Sequence, residues 1–274
     1  LKYVMIKGLV IKVGFYKFHV HAISRSQLST RTKMEKRMSI DPQKQDLKIG
    51  VVGAGAMGRG IAQVSVTGGM PVYIFDAADG AAAAAKEFIS SMIGRSVEKG
   101  RMEQSEGEAA IGRLHVAESV EALSDCDLVV EAIVENIRIK QKVFQQIESV
   151  VRPETIIASN TSSIRISSIA SACTHRNRIA GLHFFNPVPL MKLVEVINGT
   201  DTSEDVTKAL EVIGKRMGRV PVVVKDAPGF LVNLGGRAYT TEALRIVSEG
   251  VATPFQVDAI MREACGFRMG PFEL

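Results

Sequence analysis

The chain has no tryptophan, and aromatic residues make up only 5% of its 274 positions. A core built from this composition must be largely aliphatic. Cysteine is also scarce. Cys126, Cys173 and Cys265 show no metal-type spacing, and an odd, sparse set fits reduced thiols in the cytoplasm better than a disulfide framework. No run of 18 apolar residues occurs, so the sequence offers no hydrophobic transmembrane helix. Acidic residues are missing from the start, the first being Glu35. Residues 1–46 hold 10 Lys/Arg against 3 Asp/Glu, a net +7, whereas residues 47–274 hold 24 against 26, a net −2. The overall +5 therefore belongs to the first segment, and the remaining body gives no reason to expect nucleic acid as a partner.

Residues 1–46 read as a basic extension without a stable fold. Leu1 stands where a Met is expected, and Lys2, Lys7, Lys12 and Lys17 punctuate apolar stretches. Two readings compete. One is a non-native or mis-started extension ahead of a start at Met38-Ser39; the other is a mitochondrial presequence, which would move the protein from the cytoplasm to the matrix.

The chain is organised around Leu47 to Asp76. The apolar run Leu47, Ile49, Val51 and Val52 ends in Gly53-Ala54-Gly55-Ala56-Met57-Gly58, a helical pattern follows, and Val72, Ile74 and Phe75 lead into Asp76. Strand, glycine turn, helix, strand and acid in this order form a dinucleotide fingerprint. Gly53 permits the tight turn, Gly55 lets a pyrophosphate approach the backbone, and Gly58 lets the helix pack on the strand. The helix start, with Ala56 and Met57, presents free N–H groups to the phosphates. Asp76, 18 residues after Gly58, can accept a ribose hydroxyl and would repel a 2′-phosphate, so NAD is the expected cofactor.

Beyond Asp76, helical and strand patterns keep alternating. Helices are expected over 77–100, 103–113 and from Asn136 to Val151, the last with Ile139, Val143, Ile147 and Val150 on one face. Strands are expected at 114–117, 127–134, 155–158, 178–185 and 191–197. This order predicts an α/β protein with a doubly wound, parallel, Rossmann-type sheet over residues 47–230. Residues 231–274 contain two helical patterns, the second opened by a Thr253, Pro254, Gln256 capping box, and read as the start of an all-α C-terminal domain. Two helices bury little on each other, so an exposed apolar helical surface is expected there.

Two features carry chemistry. Ser159-Asn160-Thr161-Ser162-Ser163 follows a buried strand, so its hydroxyls either face the ligand crevice or cap a helix beginning near Ile166. His183 lies near the end of one strand, and Glu195 lies inside the next, which is apolar on both faces. A buried carboxylate there needs a partner. Pairing with His183 would fix one tautomer and make a general base; Lys192 and Lys225 are the alternative partners, with His183 then merely structural.

From Lys48 to Leu274 the chain resembles the L-3-hydroxyacyl-CoA dehydrogenases. The resemblance rests on Gly53 to Gly58, Asp127 to Asn136, Ser159 to Ser163, Gly181-Leu182-His183-Phe184-Phe185-Asn186-Pro187, Met191 to Val196, Pro228-Gly229-Phe230 with Asn233, and Met269 to Leu274. It implies oxidation of the 3-hydroxyl of an acyl-CoA substrate with NAD. His183 would be the base, Glu195 its orienting carboxylate, and Ser162 a donor to the reacting oxygen. Asn233 and Asn186 would line the substrate pocket, the latter near the cofactor. Glu135 and Lys140 would reach the nicotinamide end, and Lys99 the CoA portion. The resemblance also implies a homodimer in the full-length protein, a second domain continuing past Leu274, and weak or no dehydrogenase activity without it. Leu234-Gly235-Gly236 departs from the family's usual Arg after the Asn, which leaves the acyl preference open. Two other functions share parts of the pattern: an NAD-binding structural or sensor protein without turnover, and a β-hydroxyacid dehydrogenase acting on a small sugar acid. The run from Leu182 to Pro187 argues against the latter.

Overall fold

A computed structural model describes residues 2–6, 9–13 and 40–274. It divides into two units, Leu1–Arg37 and Met38–Leu274. In the first, β1 (Lys2–Ile6) pairs antiparallel with β2 (Leu9–Val13), in register from Lys2 opposite Val13 to Ile6 opposite Leu9. An antiparallel strand pair thus occupies part of the segment read from sequence as unfolded; residues 1, 7–8 and 14–39 of that segment lie outside the described residues.

The second unit begins before Leu47. Residues 40–46 form turns, the Arg216 guanidinium donates to the carbonyls of Pro42 and Lys44, and Ile40 packs against the core. The elements are β3 (Ile49–Val52), α1 (Ala56–Thr67), β4 (Val72–Phe75), α2 (Ala81–Glu98), α3 (Gln104–Gly112), β5 (Leu114–Val116), β6 (Leu128–Glu131), α4 (Ile137–Val150) and β7 (Ile156–Ser159). They continue with α5 (Ile166–Ala170), β8 (Ile179–Phe184), β9 (Leu193–Asn198), α6 (Glu204–Arg216), β10 (Val220–Lys225), α7 (Val232–Ser248) and α8 (Pro254–Glu263). The eight-stranded sheet has the order β10-β9-β8-β7-β6-β3-β4-β5.

Strands β3 to β8 are parallel, but β8 and β9 are antiparallel, and β10 runs parallel to β9. The expected all-parallel sheet is corrected here for a simple reason. Only residues 185–192 separate β8 from β9, too short a link for the crossover that parallel neighbours need. β10, an edge strand that tolerates Pro221, and α6 were not anticipated from the sequence.

Side chains alternate across the sheet into two apolar layers. Val51, Val130, Ala158, Leu182 and Val196 face a core shared with α1, α2, α3 and α6. Val52, Val129, Ile157, Ile179 and Ile197 face Phe144 and Ile147 of α4 and Ile169 of α5. The chain leaves β3 toward β4 and later returns to its other side with β6, so a crevice opens where the carboxyl ends of these strands diverge. Beyond the sheet, α7 and α8 contrast with it. Leu234, Leu244, Phe255 and Ile260 are all more than half exposed, as expected for this region, and only Ala243, Val257 and Asp258 are buried. The Thr253–Gln256 capping box forms as anticipated.

Candidate active site

The glycine turn is shaped by close approach. A Cβ on Gly53, whose φ is +104°, would lie 2.5 Å from the Ala132 carbonyl oxygen, and one on Gly58 would lie 1.7 Å from that of Gly53. Gly55 differs: a Cβ there would meet no protein atom within 4 Å. It is the N-cap of α1, its helix has no side-chain cap and no acid in its first turn, and Gly55 and Ala56 are exposed while Met57 is half-buried. Open space over uncapped amides is what a pyrophosphate requires. Asp76 stands at the carboxyl end of β4. Its Oδ2 accepts from the Ala54 amide at 2.7 Å, bringing the acid against the glycine turn, and its Oδ1 accepts from the Ala78 amide at 2.9 Å. A cleft of about 430 Å³ beside it is lined by Phe75, Ser119, Val120 and Gln146. These residues fit a dinucleotide.

Across the crevice, β8 and β9 place His183 directly opposite Glu195. His183 Nδ1 lies 2.7 Å from Glu195 Oε2, with His183 3% exposed and Glu195 wholly buried. The other carboxylate oxygen accepts from the Leu231 and Val232 amides at 3.0 and 2.9 Å, so Glu195 also anchors the start of α7. A hydrogen bond donated by Nδ1–H to Glu195 would leave the Nε2 lone pair for chemistry. Phe185 and Phe230 flank the imidazole at ring-centroid distances of 4.6 and 5.6 Å. Phe230 holds a left-handed φ of 49°, a conformation a bulky residue adopts only when its surroundings fix it. Asn233 follows in the first turn of α7, half-buried, and Asn186 is exposed in the loop after β8.

The serine run lies beside this pair. Asn160 Oδ1 accepts from the Phe184 amide at 2.8 Å, tying the run to the end of β8. Ser159 donates to Glu131 at 2.7 Å, while Thr161 and Ser163 donate to Glu135 at 2.5 and 2.9 Å. The Ser162 amide donates to Glu135 at 3.0 Å, but its exposed hydroxyl has no protein partner among the described residues. Ser162 is therefore the one hydroxyl of the run left available to a ligand. None of these serines caps α5; the Ile166 and Ser167 amides donate to Asp226 instead.

Lys140 is buried, not extended into the crevice. Its Nζ lies 2.6 Å from Glu131 and 3.4 Å from Glu135. Burial alone would raise the Glu135 carboxyl, but hydrogen bonds from Thr161 and Ser163 and the nearby Lys140 charge outweigh it and hold Glu135 below the usual carboxylate range. Glu131, the last residue of β6 and wholly buried, is a site component that the sequence reading passed over. The signal was a carboxylate inside an apolar strand, as at Glu195. Lys99 joins none of this: it is exposed at the C-terminal end of α2 and makes no ion pair among the described residues.

With this geometry in view, comparison with known proteins decides the family. The family model for the NAD-binding domain of 3-hydroxyacyl-CoA dehydrogenase matches residues 48–227, and that for its C-terminal domain matches residues 229–274. The chain belongs to the 3-hydroxyacyl-CoA dehydrogenase family. A probable 3-hydroxybutyryl-CoA dehydrogenase of Deinococcus radiodurans is 42% identical over 228 residues, covering 83% of this chain and 82% of the relative. The human mitochondrial hydroxyacyl-coenzyme A dehydrogenase is 42% identical over 230 residues, covering 82% and 73%. The crystal structure of (S)-3-hydroxybutyryl-CoA dehydrogenase from Ralstonia eutropha superposes with a TM-score of 0.80 at 38% identity, covering 82% of this chain and 80% of that one. As a member of this family the chain is an NAD-dependent oxidoreductase with a Rossmann-type domain, and no described helix is long and apolar enough to cross a membrane.

Proposed function

We propose that His183 is the general base in oxidation of the 3-hydroxyl of an L-3-hydroxyacyl-CoA to the 3-ketone, with Glu195 orienting it. The single observation that carries this reading is the buried 2.7 Å pairing of His183 Nδ1 with Glu195. His183 Nε2 takes the hydroxyl proton, and the imidazolium that results faces the Glu195 charge in a site shielded from water. Two amides from α7 keep that carboxylate in place. Ser162, whose hydroxyl is unused by the protein, donates to the reacting oxygen as negative charge develops there. Asn233 and Asn186 position the acyl-CoA, and Glu135, braced from behind by the buried Lys140, borders the nicotinamide end. Gly53, Gly55, Ala56, Met57, Gly58 and Asp76 would hold the rest of the dinucleotide. When bound, NAD⁺ would supply the hydride acceptor for C3 of the substrate.

A role in fatty-acid β-oxidation, a cytoplasmic setting and a homodimer belong to the same reading. The exposed apolar residues of α7 and α8 support the dimer. A panel of 3-ketoacyl-CoAs assayed with NADH tests the function. NADH consumption with at least one short-chain, branched or dicarboxylic ester is the expected result. Consumption with none of them, alongside intact NADH binding, would favour the sensor reading.

A further inference from the structure

We propose that Glu131 is a positioning residue for this reaction: acting through Ser159 on one side and through Lys140 and Glu135 on the other, it fixes residues 161–163 and so places the Ser162 hydroxyl. The inference rests on the reading of Ser162 as the donor to the reacting oxygen. Glu131 has no exposed surface and cannot touch substrate itself. Its Oε1 accepts from Lys140 Nζ at 2.6 Å and from the Ile133 amide at 2.8 Å, and its Oε2 accepts from Ser159 at 2.7 Å.

Both branches converge on the loop. Ser159 Oγ in turn accepts from the Thr161 amide at 3.2 Å. Lys140 stands 3.4 Å from Glu135 Oε2, while Glu135 Oε1 accepts from the amides of Ser162 and Ser163 at 3.0 and 3.1 Å and from the Thr161 hydroxyl at 2.5 Å. Residues 161–163 are therefore gripped from both ends by groups that meet on one buried carboxylate. A pair that served only to fill space could be replaced by two apolar residues. Such residues could not accept the Ser159 hydrogen bond or hold a cation against Glu135. Displacement of a reacting group by about 1 Å can cost ~10²-fold in rate.

A double-mutant cycle separates positioning from mere structural support. With a 3-ketoacyl-CoA and NADH, Glu131→Gln should lower kcat by about tenfold to a hundredfold. In a Ser162→Ala background the same change should lower it by less than about twofold, because the group being placed is already gone. Equal fold losses in both backgrounds would overturn the proposal and leave Glu131 a structural residue. A Ser162→Ala variant with unchanged kcat would defeat the Ser162 reading, and this proposal with it; a large Ser162→Ala loss combined with additive Glu131→Gln would defeat the proposal alone. Should Glu131→Gln fail to fold, Ser159→Ala, which leaves the ion pair intact, runs through the same cycle. Non-additivity with Ser162→Ala is again the expected result, and additivity overturns the proposal.

Discussion

Two carboxylates with no exposed surface lie in the sheet, Glu131 at the end of β6 and Glu195 within β9. Each faces a basic side chain at close range, Lys140 at 2.6 Å and His183 at 2.7 Å. Their partners make them different devices. The Lys140 ammonium is enclosed between Glu131 and Glu135, so the Glu131 pair is a fixed strut. The His183 ring keeps a second nitrogen beyond the one facing Glu195, so the Glu195 pair is a place where a proton can be received. The strut also holds a loop, whereas the Glu195 pair holds the entry to α7. Burial makes both pairs costly to break, but only one of them should be directly visible in the chemistry.

The sharpest break of this comparison is His183→Gln. It should cost about 10²–10⁴ in kcat, the usual contribution of a general base, while NADH still binds in a fluorescence titration. Turnover near that of the unmodified protein would remove His183 from the mechanism.

Glu131→Gln should act on stability as well as rate. It leaves the buried Lys140 ammonium with only the partly exposed Glu135 at 3.4 Å as counter-charge, and urea unfolding should show a loss approaching the ~3 kcal/mol of a broken buried pair. Adding Lys140→Met should recover most of that loss, since removal of a whole buried pair is often near neutral. If the single and double variants were equally unstable, the charge pairing would not be what holds this part of the sheet.

The glycine turn gives a smaller and more selective effect. Gly58→Ala pushes a Cβ into the Gly53 carbonyl and should lose both stability and NADH binding. Gly55→Ala meets no protein atom, so its melting temperature should stay close to that of the unmodified protein while NADH affinity falls about tenfold, or ~1.4 kcal/mol. Unchanged NADH affinity in Gly55→Ala would place the pyrophosphate elsewhere.

The smallest effect concerns a third kind of buried titratable group. At Cys126 burial first, and then the Asp127 charge, outweigh Lys48 and Arg152 and push the thiol up to about 12, and burial with Glu148 pushes Cys173 up to about 11. Both should remain protonated and unreactive, so a thiol reagent near pH 8 should modify only exposed Cys265 in the native protein. Rapid labelling of two or more thiols would contradict this.

The legible parts of the sequence were those with strong local rules. The strand–glycine–helix–strand unit follows from periodicity and from glycine spacing, and the His183–Glu195 pair from the cost of a carboxylate in an apolar strand. The same rule applied to Glu131 but was masked, because that residue ends its strand and reads as part of a continuous apolar run. The reading of α4 was also incomplete. Periodicity chose Ile139, Val143, Ile147 and Val150 as the inner face; Ile147 is buried and Val143 and Val150 pack against the core, but Ile139 is 46% exposed and Lys140 and Phe144 are buried in addition. The buried Phe144 and the ion pair from Lys140 to Glu131 both suit that rotation, and an amphipathic count of one helix carries no information about a charge on a neighbouring strand. The reversed direction of β9 and β10 was likewise a matter of linker length, not of either strand's composition.

The central claim is that the buried charge of Glu195 powers His183. It is tested most directly by a double-mutant cycle in kcat for 3-ketoacyl-CoA reduction, with Glu195→Gln and His183→Gln made alone and together. Glu195→Gln should lower kcat in the unmodified protein but change it by less than about twofold once His183 is already Gln, because the carboxylate acts through the imidazole. Equal fold losses in both backgrounds would contradict the pairing as the source of the base.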